Sequence, residues 1–89
     1  EEAIKEYEAA LEIEPAHYQT NLIYGRILFM DGDKTRALVL LQRAVKAEPE
    51  SRGAHMYLAE VYDALGQPAK ASRERALAQQ GRDILVSDQ

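Results

Sequence analysis

Proline stands at positions 15 and 49 of this chain, and small residues recur at the same 34-residue step. Ala3, Ala37 and Ala71 form one series and Ala10, Ala44 and Ala78 another, while the pairs Gly25 with Ala59 and Gly32 with Gly66 keep the interval. A fixed period of this length points to a helical solenoid, whose units cannot bury their apolar faces alone and must stack on one another. With no cysteine among its 89 residues, the chain must hold such a stack together by packing.

The apolar spacing between these markers is helical throughout. Ala3, Ile4, Tyr7, Ala10 and Leu11 make the stripe of a half-buried helix, which Pro15 ends. A second helix is predicted from about Ala16 to Met30, followed by a turn at Asp31-Gly32-Asp33, where glycine can take positive φ. The third should run from about Lys34 to Ala47 and stop before Pro49, because the residue preceding proline is pushed out of the helical region. Ser51 is the expected N-cap of a fourth helix, about Arg52 to Leu65, which closes at Gly66. Pro68 suits the first turn of a fifth, which reaches Gln80. No strand pattern is visible. The fold class is therefore all-α, with five short helices whose brief connections force neighbours antiparallel into a row of hairpins.

At this point the residues resemble a known family, the tetratricopeptide repeats. Their first helix carries W-x2-L-G-x2-Y, and their second carries A-x3-F-x2-A followed by proline. The first-helix positions read Asn21, Tyr24, Gly25, Leu28 and then His55, Leu58, Ala59, Tyr62. The second-helix positions read Ala3, Tyr7, Ala10, Pro15, then Ala37, Leu41, Ala44, Pro49, and finally Ala71, Arg75, Ala78. Neither tryptophan of the family pattern is present. The resemblance covers residues 1 to about 80 and implies an α-solenoid of about two and a half repeat units. Residues 1–14 would be the second helix of a truncated repeat, 16–48 and 51–80 full repeats with the latter terminal, and 81–89 a tail or capping segment.

The two ends differ in character. Starting on a second-type helix should leave Ile4, Tyr7 or Leu11 uncovered on the upstream side, as in a fragment of a longer array. The last helix carries Arg75 where a large apolar residue is expected, as a polar terminal face requires. Residues 1–14 hold six glutamates against Lys5, and residues 67–82 hold Lys70, Arg73, Arg75 and Arg82 against Glu74. Opposite ends of opposite sign suggest head-to-tail association of copies through residues 1–14 or 69–86. The competing reading is a pair of solvated helix faces.

If the family's geometry holds, the first helix of each hairpin lines the concave face. Gln19, Leu22, Arg26, Phe29 and Met30 from one repeat, with Gly53, Met56, Glu60, Asp63 and Ala64 from the next, would then make one strip. Leu22, Phe29 and Met56 are expected as an apolar floor, with Arg26 on one side and Glu60 and Asp63 on the other. That arrangement suits a peptide or protein segment with apolar anchors. The alternative is that these apolar residues are core. The Lys, Asn and Arg set with which some members grip chaperone C-termini is missing, since only Arg26 is cationic at the matching positions.

Other classes of function find little purchase. His17 and His55 stand far apart in sequence with no cysteine, so no metal-ligand spacing exists. Glu14-Pro15-Ala16-His17 has a Glu-x-x-His spacing, but proline interrupts it and no second copy occurs. Ser51, Ser72 and Ser87 have no His-acid company, there is no glycine-rich phosphate loop, and nothing calls for a cofactor. A net charge of −4 lacks the basic footprint of a nucleic-acid binder. No apolar run approaches the roughly 20 residues that cross a bilayer. The reading is a soluble, non-catalytic interaction scaffold; its compartment is left open, with the cytoplasm favoured.

Overall fold

A computed structural model of the chain describes residues 2–83; Glu1 and the tail residues Ile84, Leu85 and Val86 lie outside the described residues. Five helices follow one another: α1 (Glu2–Ile13), α2 (Tyr18–Met30), α3 (Lys34–Ala47), α4 (Arg52–Ala64) and α5 (Pro68–Gln80). The all-α hairpin row read from the sequence is the observed architecture. Two boundaries shift by one or two residues. α2 begins at Tyr18 because the His17 ring caps it, its Nδ1 accepting from the Thr20 amide, and α4 ends at Ala64 with Leu65 as its C-cap.

The 34-residue step is visible in the backbone hydrogen bonds themselves. Gly32 N–H donates to Phe29 O and Asp33 N–H to Leu28 O; one period later Gly66 N–H donates to Asp63 O and Gln67 N–H to Tyr62 O. Both turns require the left-handed region, with φ of 91° at Gly32 and 77° at Gly66, which glycine enters without steric cost. The expected caps are also in place: Ser51 Oγ accepts from the Ala54 amide, and Pro68 occupies the first turn of α5.

Packing is tightest within the hairpins α2–α3 and α4–α5; α3 then joins the hairpins by packing on α4. Ala37, Ala44, Ala54, Ala59, Ala71 and Ala78 are all buried, so the small residues sit where helices approach closely. Gly25 shows how close: a Cβ there would stand 2.9 Å from Leu41 Cγ and 3.3 Å from Leu40 Cβ. After α5 the chain returns along the α3–α4 loop, with Arg52 N–H donating to Arg82 O and Arg82 N–H to Glu50 O.

α1 packs on α2 and buries no residue completely. Tyr7 stacks on Tyr24 with centroids 5.6 Å apart, and the Tyr24 hydroxyl donates to Glu8 Oε2 at 2.8 Å while accepting from Arg36 at 3.1 Å. Burial holds the Tyr24 phenol above its ordinary ionisation range, and the bond to Glu8 adds to the effect. An unfolded tyrosine ionises near pH ~10. The stability Tyr24 contributes is therefore fully present below that pH and is lost as pH rises through the higher folded-state value. Urea titrations at pH 8 and in the alkaline range should show the native chain losing stability relative to a Tyr24→Phe variant. Parallel losses in the two proteins would contradict this.

Candidate binding surface

α2 and α4 lie side by side. Arg26 is exposed, and its guanidinium carbon lies 4.3 Å from the centroid of the Tyr57 ring. Arg26 is one turn of α2 beyond Leu22 and Tyr57 is the second-repeat counterpart of Ile23, so the stack ties the two first-type helices together across their outer surface. Such a contact at an exposed site is worth about 0.5–1 kcal/mol. It also holds a normally mobile side chain over a fixed platform.

Two depressions flank this stack. One, of 160 Å³, is lined by Leu22, Ile23, Arg26, Ile27, Met30 and Tyr57. The other, of 90 Å³, is lined by Arg26, Phe29, Met30, Leu41, Tyr57 and Glu60. Beside them, Met30 is 75% exposed and Met56 43%. Unbranched and polarisable, methionine adapts to varied apolar partners.

The expected floor needs one correction. Leu22 is only 5% exposed and belongs to the core, because α4 comes close enough to cover it; it meets the surface only at the edge of the larger depression. Phe29 is half-buried, packed against the core and lining the smaller depression. Met56 is exposed as expected, and Gln19 is half-buried at the start of α2. Glu60 is exposed, whereas Asp63 is already engaged by Arg75 of α5. Tyr57, Ile23 and Ile27 were absent from the sequence-based set. The step aligning Ile23 with Tyr57 could have paired them, but nothing local marks Tyr57 as the platform for a cation 31 positions earlier.

His55 lies in the core, 3% exposed, where the repeat pattern places a packing residue. Its Nε2 donates to the Pro49 carbonyl at 2.7 Å, and its Nδ1 lies 2.6 Å from Glu74 Oε1. Among the described residues, no three His, Asp or Glu side chains come together as a metal ion would need.

A family model described as tetratricopeptide repeat matches residues 1–52 and 28–83. No curated protein matches the chain.

Proposed function

This chain belongs to the tetratricopeptide repeat family, and from that premise we propose that it is a non-catalytic scaffold that binds a peptide or protein segment across the α2/α4 surface. Repeats of this family generally mediate protein–protein interaction. Within the array we assign α2–α3 (residues 16–48) and α4–α5 (51–80) as the two full repeats, with α1 the second helix of a preceding one.

The observation that carries the proposal is the Arg26–Tyr57 stack, set between two apolar depressions and bordered by exposed Met30 and Met56. A partner's apolar side chains fill the depressions, and Arg26 donates to a carbonyl or carboxylate between them. Glu60 meets a cation on the partner's other edge. Aromatic and arginine anchors in a desolvated centre are the usual carriers of interface energy. No helix among the described residues is long and apolar enough to cross a membrane.

Association of copies through the charged ends has less to support it. Arg75 pairs with Asp63 and Arg82 with Glu50 within the same chain, and Lys70 lies over the Tyr62 ring. These contacts engage most of the cations such an interface would use.

An affinity capture from extract, quantified partner by partner, tests the proposal with an Arg26→Glu/Met56→Ser variant beside the native chain. Both side chains are exposed, so helicity by circular dichroism should be unchanged. Loss of two central anchors should lower the affinity of a genuine partner by at least about 30-fold. Equal recovery of every partner by a folded variant would refute the surface.

A further inference from the structure

We propose that the groove between α1 and α3 is a second docking site, which takes an acidic amphipathic helix of another protein. It shares no lining residue with the α2/α4 surface and is larger than either depression there, at 470 Å³ against 160 and 90 Å³. Arg43 also lines a further cavity of 360 Å³ beside Pro15, Lys46 and Ala47.

The groove exists because α1 and α3 both pack on α2 without packing on each other. Leu11, Val39 and Leu40 form its apolar floor, with Val39 43% exposed. On α3, Arg36, Val39, Arg43 and Lys46 recur at steps of three and four residues and so form one strip, about 15 Å long. Facing it on α1 are Glu8 and Glu12. Glu8 and Arg36 satisfy each other and Tyr24 at 3.5 Å or less, which closes off that end.

The charges that remain define the occupant. Arg43 and Lys46 make no ion pair among the described residues, and Glu12 makes none either. Three cations against two carboxylates leave these two cavities one net positive charge, in a chain whose total is −4. The Arg43–Lys46 side of the groove therefore attracts an acidic edge of the occupant, while α1 with its glutamates, like most of the rest of the molecule, repels one. Both walls are helices whose backbone groups are already bonded internally, so an extended peptide would find no main-chain partners here. A helix brings its own hydrogen bonds and needs only an apolar ridge for Leu11, Val39 and Leu40, with Asp or Glu along the edge toward Arg43 and Lys46.

The test uses two fluorescein-labelled helical peptides of about four turns with the same leucine ridge, one flanked by Glu and one by Lys, titrated into the chain by fluorescence anisotropy. The Glu-flanked peptide should bind at least about tenfold more tightly than the Lys-flanked one and weaken as salt is raised. Arg43→Glu and Val39→Asp, both at exposed positions, should each weaken it by about tenfold or more. The Arg26→Glu/Met56→Ser variant should bind it undiminished. Equal affinity for the two peptides, or binding that survives both groove variants in proteins of native helicity, would overturn the proposal. So would sedimentation showing a dimer of the free chain that Arg43→Glu abolishes, since the groove would then belong to a second copy.

Discussion

Leu41→Ala should lower the unfolding free energy by about 2–5 kcal/mol, whereas Arg75→Ala, one period later, should cost no more than about 1 kcal/mol. The two residues hold the same place in the repeat, so the pattern alone would rank them equally. Leu41 is fully buried, and Gly25 approaches it with no side chain of its own. Gly25, Ala37 and Ala44 have no side chain long enough to fill the space that truncation leaves, so much of the cavity should persist. Arg75 lies at the end of the described array, where its guanidinium pairs with Asp63 across a face that is about half exposed on both sides. The contrast is read directly from paired urea titrations, or from melts in which Leu41→Ala falls by at least about 8 °C and Arg75→Ala hardly moves. Similar losses in the two variants would mean that the last helix is covered as deeply as the third.

How much of this was legible in the sequence depends on how local the determining physics is. Ser51 as a cap, Pro68 in a first turn and positive φ at Gly32 and Gly66 are settled within a few residues of themselves, and each is where the residue types place it. The register likewise identified Tyr24, Leu28, Leu58 and Tyr62 as buried. It could not tell whether Leu22 would be floor or core, because that depends on how near α4 comes to α2. Nor could it find the Arg26–Tyr57 stack, which joins residues 31 apart. The α1/α3 groove escaped for a related reason: it depends on how two second-type helices sit on the helix between them, as α1 and α3 do on α2. What differs between repeats is residue type: at the positions of Glu8 and Arg36 the next repeat has Gln42 and Lys70, which contact the Tyr62 hydroxyl and ring as Glu8 and Arg36 contact those of Tyr24.

The same difference between repeats gives the second large expectation, at His55. Asn21 stands one period earlier and donates through Nδ2 to the carbonyls of Pro15 and His17, much as His55 donates to Pro49. The residue one period before Glu74 is Leu40, which is buried and apolar. The two sites differ in chemistry: an amide whose Nδ2 bonds two carbonyls while its buried Oδ1 has no partner among the described residues, or an imidazole with nitrogens on both edges beside a carboxylate. Glu74 keeps only 13% of its side-chain exposure, so His55→Ala strands both a nearly buried carboxylate and the Pro49 carbonyl. Breaking such a pair costs about 3–5 kcal/mol; the residual exposure of Glu74 places this one near the lower end. His55→Asn should restore the Pro49 bond yet leave Glu74 unpartnered, and so recover only part of the loss. The double variant His55→Asn/Glu74→Leu rebuilds the first repeat's solution in the second and should regain most of the native stability, with a coupling of about 0.5–3 kcal/mol in the double-mutant cycle. If the double variant is no more stable than His55→Asn alone, the two sites are not interchangeable, and the imidazole–carboxylate pair shapes the α4–α5 packing in a way that the Asn–Leu pair cannot.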